Sequence, residues 1–191
     1  MCSSDLADGS VDETACYNLQ LWYEQNWFSN KFHAGTNMYI YKNCPTGGKD
    51  NDPLGALNPE MTQKYEPVKE VNYRYECAWW SCVRANMFLV DNNTGKYLYG
   101  TPNGNKVAQT VASVLGLDYN TNIDNIKPNS LVSWTSSSSC GHTGYVEAVS
   151  GDYYITSECG SGSNWAGVII HSKSADRGKF IGSVCLEDLV H

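Results

Sequence analysis

Two kinds of apolar spacing divide the chain. From Cys77, the stretch CAWWSCVRANMFLV carries apolar residues at helical spacing and predicts one helix, ended by the turn DNNTG. GNKVAQTVASVLG predicts a second helix, with Gly116 as its C-cap. From Ser130 onward the pattern changes to short runs of Val, Ile, Tyr and Thr, namely SLVSW, TGYVEAVS, YYITSE, AGVIIHS and FIGSVCLE. Ser, Gly and Asp separate these runs, as between strands of a sheet. Helices followed by strands predict an α+β domain, with the helices packed on a central antiparallel β-sheet.

The pattern upstream is weaker. Residues 1–16 are polar and acidic, and residues 17–44 mix helix-like spacing (Leu19, Trp22, Tyr23, Trp27) with the strand-like MYIY. PTGGKDNDPLGALNP is dense in Gly, Pro, Asn and Asp and reads as a linker. It places a boundary near residue 60. Residues 1–60 are then an N-terminal extension or small accessory segment, and 61–191 the main domain. No internal repeat is present.

Composition narrows the classes. With 191 residues, 41% hydrophobic and only 17% charged, the chain can bury a core and is not disordered as a whole. Its formal net charge of −7 disfavours nucleic acid and anionic membrane as partners. No apolar run approaches the roughly 20 residues of a membrane helix. The eight cysteines include no CxxC pair, so the common zinc-ribbon and thioredoxin spacings are absent. An oxidising compartment with some disulfides is the better expectation, and with it a secreted or cell-surface location. Met1 followed by CSSDLADGS reads as a mature export product whose leader has been removed, and Cys2 suggests a lipid-anchor point.

Cys77 and Cys82 lie five residues apart. On a helix that spacing advances roughly 7.5 Å and turns roughly 140° out of alignment, which disfavours both a mutual disulfide and a shared metal. They need separate roles. A thiol opening a helix meets the positive end of the helix dipole and unpaired backbone N–H groups, and both favour the nucleophilic thiolate. The alternative for Cys77 is a buried structural or bridged cysteine. Among the four histidines, His142 follows a polar loop at the mouth of a strand and could serve as the base, or simply be solvated. His33 lies in the N-terminal segment, His171 at a strand end, and His191 is the last residue. Glu158 ends the next strand and could face His142 across an antiparallel pair, or stand exposed.

The order of these residues resembles the cysteine- and histidine-dependent amidohydrolase/peptidase (CHAP) family. ECAWWSCVR is similar to its nucleophile segment through Cys77, Trp79 and Arg84. PNGNKVAQ matches its Gly-Asn segment through Gly104 and Asn105, and IKPNSLVSW its strand after Pro-Gly-Asp. CGHTGYVEAV matches through Gly141, His142, Val146 and Glu147, and ITSE through Ser157 and Glu158. The matches run in order over roughly residues 65–190. Asn129-Ser130 replaces the family's Gly-Asp, and Gly160 stands where Asn often orients the site, which leaves Asn164 as a weak substitute.

The resemblance implies a papain-like CHAP fold. It also implies a Cys77–His142–Glu158 triad that cleaves an amide of bacterial peptidoglycan through a thioester, as an N-acetylmuramoyl-L-alanine amidase or an endopeptidase. Trp79 and Trp80 could wall the substrate groove with Asn164, or else belong to the core. No acidic loop with calcium-ligand spacing is present, so no metal and no cofactor is expected. A monomer is expected. Six cysteines other than Cys2 and Cys77 could form three disulfides, and a Cys140–Cys159 bridge would brace the catalytic pair. The alternatives are an NlpC-type or papain-like peptidase acting on protein, and an inactive wall-binding module.

Overall fold

The computed structural model describes residues 39–42, 64–67, 76–160 and 165–190. Its centre is a six-stranded sheet: β1 (Tyr39–Lys42), β2 (Ser130–Trp134), β3 (His142–Ser150), β4 (Tyr153–Gly160), β5 (Trp165–Ser172) and β6 (Phe180–Cys185). The strand order is β1-β5-β4-β3-β2-β6, and every neighbouring pair is antiparallel. Short connections join β2 to β3 and β3 to β4. After β5, the one-turn helix α3 (Lys173–Asp176) begins the crossing to the opposite edge, where β6 pairs with β2. β1 comes from the N-terminal stretch 1–60 and forms the edge strand beside β5.

Two longer helices precede the main strands. α1 spans Cys77–Asp91, matching the helical spacing of CAWWSCVRANMFLV. α2 spans Val107–Leu115, entered through a 3₁₀ turn at Gly104–Lys106 and ended by Gly116 in the left-handed conformation. Both bury apolar faces against one face of the sheet. Ala85, Leu89, Val111 and Leu115 meet Leu131, Tyr145 and Val184 there. Each fully buried Leu or Val contributes on the order of 1.5–3 kcal/mol relative to exposure. Asn86 interrupts this apolar surface for a reason. Its Nδ2 donates to the carbonyls of Tyr65 and Leu98, and its Oδ1 accepts from Leu98 N–H, so it fastens two non-helical segments to α1.

Side chains alternate across a strand, so the neighbours of those residues point the other way. Val132, Trp134, Val146 and Tyr154 form a second core with Ile123 and Ile126 from the connection that precedes β2. The sheet is thus covered on both sides, by helices on one and by an irregular segment on the other. The candidate site lies on the second side, at the end of the sheet approached by the N-terminus of α1.

Candidate active site

His142 is the first residue of β3, and its position is set by how the chain enters that strand. Gly141 has φ +67°, and a Cβ there would fall 2.5 Å from the Asn105 Cβ. Only glycine suits both the left-handed backbone and so close an approach. The 3₁₀ turn before α2 lies against this corner. Asn105 N–H donates to the Cys140 carbonyl at 2.9 Å, and Asn105 Nδ2 donates to the Ser139 carbonyl at 3.1 Å. These contacts give the Gly-Asn and Gly-His motifs a shared physical purpose: they pin the loop that delivers the imidazole. The ring then stacks on Trp134, with centroids 5.7 Å apart.

Glu158 reaches His142 because Gly144 has no side chain. Tyr145 pairs with Ser157, so Gly144 and Glu158 are opposite one another one step further along. A Cβ at Gly144 would stand 2.9 Å from the Glu158 Cγ. Through that gap Glu158 Oε2 hydrogen-bonds His142 Nε2. With Nε2 so engaged, Nδ1 is the ring nitrogen left to meet the Cys77 side chain, whose proximity helps to raise His142. The structure therefore brings together the three residues singled out as catalytic.

Cys77 opens α1. The first bond of the helical ladder runs from Trp80 N–H to the Glu76 carbonyl, and Glu76 places no side-chain cap on this end. The Cys77 amide lies ahead of the ladder, where a developing oxyanion can be met by the positive end of the helix. Cys82, one and a half turns on, is buried, and desolvation followed by the charge of Cys77 pushes its thiol up to about 12. It remains a protonated core residue.

The electrostatics of the site follow from burial opposed by charge. Burial works against an imidazolium at His142. The Glu158 carboxylate and the hydrogen bonds to Cys77 and Glu158 outweigh it and push His142 up to about 10. Burial likewise works against the Glu158 anion, but His142 and His171 together hold its carboxyl below the usual range.

Reading the residues one by one missed His171. Its Nε2 lies 2.7 Å from Glu158 Oε1, and its Nδ1 lies 2.7 Å from Asp176 Oδ2 on α3. The signal was present in the hairpin. β4 and β5 pair so that Tyr154 faces His171, which puts His171 on the same face as Glu158. A cavity of about 450 Å³ opens beside these groups, bounded by Trp134, the turn 135–137, His142, His171 and Lys179.

Three expectations are corrected or left open. Trp79 and Trp80 are each only 1% exposed, so they belong to the core and do not wall an open groove; Trp79 Nε1 donates to Glu66 at 3.3 Å. Their place on the first turn of α1 turns both rings inward. Cys140 is a free thiol on an exposed loop and Cys159 lies buried in the sheet, so the bridge between them is not formed. Cys82 and Cys185 are free thiols as well, which removes the three-disulfide scheme. Asn164, Cys16, Cys44 and the other two histidines, His33 and His191, lie outside the described residues.

The remaining motif residues are structural. Arg84 on α1 forms a two-pronged pair with Glu147, Nε to Oε1 and Nη2 to Oε2, both at 3.0 Å. Ser157 also donates to Glu147 at 2.7 Å, and the guanidinium lies over the Tyr145 ring. Glu147 is the extra residue of a bulge between Val146 and Ala148, the kind of irregularity that re-aims a side chain.

Residues 68–160 match the CHAP domain family. This segment is similar to a CHAP domain. No curated protein matches the chain. Among solved structures, the chain is similar to a crystal structure of Ly7917 with the hydrolyzing product of MDP, at 16% identity and a TM-score of 0.44. A second structure of Ly7917 is similar at 14% identity and a TM-score of 0.40. Each comparison covers 59% of this chain and 53% of the other, so the likeness spans about half the length of those proteins. Among the described residues, no helix is long and apolar enough to cross a membrane.

Proposed function

We infer that this protein is a cysteine peptidoglycan hydrolase that cleaves an amide bond of the bacterial cell wall through Cys77, His142 and Glu158. The observation that carries this reading is a match to the CHAP family in which the carboxylate of Glu158 hydrogen-bonds the imidazole of His142 and the thiol at the start of α1 lies near enough to that ring to raise it.

In this mechanism His142 takes the proton of Cys77 on Nδ1, and the sulfur attacks the amide carbon. The Cys77 backbone N–H at the helix start donates to the oxyanion. His142 returns its proton to the leaving amine, the thioester forms, and water activated by the same ring releases the acid. Glu158 holds the ring with Nε2–H toward itself and supports the imidazolium at each stage. The cavity beside His142 is open to a substrate side group. Peptidoglycan lies outside the cytoplasm, so the reading carries export with it. The acid product is a free carboxylate and the other product an amine, as either an amidase or an endopeptidase would leave.

Cys77→Ala should abolish release of soluble fragments from purified peptidoglycan while leaving circular dichroism and the thermal midpoint near those of the parent. Masses of the released muropeptides assign the bond. Full lysis by Cys77→Ala, or cleavage of an unfolded protein substrate with peptidoglycan left intact, would overturn the reading.

A further inference from the structure

Glu158 has two oxygens, and only one faces His142. The other, Oε1, accepts from Thr156 Oγ1 at 2.5 Å and from His171 Nε2 at 2.7 Å. We propose that His171, itself held by Asp176, is a positioning residue for the proposed hydrolysis: it clamps the outer oxygen of Glu158 so that the inner one stays on His142.

The geometry around His171 is over-determined. Its ring runs nearly parallel to those of Trp134, with centroids 5.0 Å apart, and Tyr154, with centroids 4.9 Å apart, each at 16°. Each ring nitrogen meets a carboxylate oxygen at 2.7 Å. Carboxylates only accept, so both nitrogens must carry a proton, and His171 is an imidazolium. Tyr154 donates to the same Asp176 oxygen at 2.7 Å and accepts from Trp134 Nε1 at 3.1 Å. The charged and titratable groups that face this ring are therefore Glu158 and Tyr154 from β4 and Asp176 from α3, with His142 and Lys179 across the cavity.

A buried carboxylate with one cationic partner has two ways to escape its desolvation: it can take up a proton or swing toward water. Either would release the His142 ring. His171 closes both routes, by its charge and by its fixed donor. It touches no reacting atom and acts through Glu158. In this respect it occupies the orienting place left vacant by Gly160, from a different strand and on a different atom.

The proposal rests on the catalytic reading above, so its test needs a readout independent of peptidoglycan. The rate of Cys77 alkylation by iodoacetamide, followed by mass of the Cys77 peptide across pH, provides one. In the parent this profile should depend on His142, and His142→Ala serves as the reference. His171→Gln should move the acid limb of the profile toward neutral pH, because Glu158 then protonates more easily. It should also lower kcat on peptidoglycan about tenfold to a hundredfold with KM unchanged, the scale of a small misplacement at a reacting centre. Asp176→Asn keeps the ring and its bond to Glu158 and should shift the limb in the same direction by less. If His171→Gln does not fold, Asp176→Asn decides the matter. A folded variant with the parent's acid limb and kcat overturns the proposal while the catalytic reading stands. A parent profile identical to that of His142→Ala overturns both.

Discussion

Glu147 and Glu158 are both acidic residues on adjacent strands, both with side chains almost fully out of water, at 3% and 1% exposure. Their partners separate them. Glu147 faces α1 and is matched by a guanidinium on two prongs, with Ser157 as a third donor. Glu158 faces the opposite side of the sheet and is matched by two imidazoles and a threonine hydroxyl. An arginine does not release its proton in a protein, so the first cluster has one charge state and serves as a fastener between helix and sheet. A histidine does release it within the range where enzymes work, so the second cluster can pass a proton and return to its starting state. The same kind of buried anion is structural in one place and suited to chemistry in the other.

Substitution at Glu158 should give the largest effect and should be felt in turnover. Glu158→Gln would present an amide N–H₂ to His142 Nε2, driving the ring proton to Nδ1, the nitrogen that has to accept from Cys77. Hydrolysis of peptidoglycan should fall about 10²–10⁴-fold, the range associated with losing positioned acid–base catalysis, while the protein remains folded. Near-parent rates would break the comparison at its chemical end.

At the other carboxylate the loss should be felt in stability. Arg84→Met strands Glu147 in the interior, and breaking one side of a buried pair costs about 3–5 kcal/mol. Urea denaturation should show that loss, whereas kcat measured well below the transition should stay within a few-fold of the parent. A loss of kcat without a loss of stability would mean that the two clusters are coupled across the sheet.

The smallest effect is the response of stability to pH, and only one cluster should supply it. His142 and His171 are raised from the ordinary 6.5 to about 10 and about 9, the second by Glu158 and Asp176 against its own burial. The folded protein holds those protons more tightly than the unfolded chain. Their contribution is complete below pH 6.5 and is lost as pH rises through about 9 and then about 10. Glu158 is depressed, so its contribution is complete above the ordinary 4.5 and is lost as pH falls through its folded value. Thermal melts should therefore be highest between these limits and decline on the alkaline side, and Glu158→Gln should flatten that decline. Arg84→Met should lower the curve while leaving the alkaline decline set by the two histidines in place.

Much of this architecture could be read from the pattern of residues. The strands SLVSW, YYITSE and AGVIIHS begin within a residue of where they were expected, because runs rich in Val, Ile, Tyr and Thr set off by Ser, Gly and Asp are a strong signal. Position alone left Cys77, His142 and Glu158 open, and it was the order of the motifs around them, through the resemblance to the CHAP family, that singled them out. The misreadings share another cause. Whether Trp79 and Trp80 face a groove or a core depends on what packs against the first turn of α1, and helical spacing does not contain that information. His171 was passed over as a strand-end histidine because its value comes from cross-strand register, and that register was not carried through from β4 to β5. Cysteine number suggested bridges, but pairing is a matter of distance between sulfurs, and Cys140 and Cys159 lie in different environments.

Glu158, His171 and Asp176 all belong to one hairpin and the turn that follows it, while Cys77 comes from a helix far earlier in the chain. The acid half of the centre can assemble locally, but the sulfur meets its base only when the helix has docked on the finished sheet. An unfolded chain therefore holds Cys77 apart from His142, and only the folded domain brings the two together.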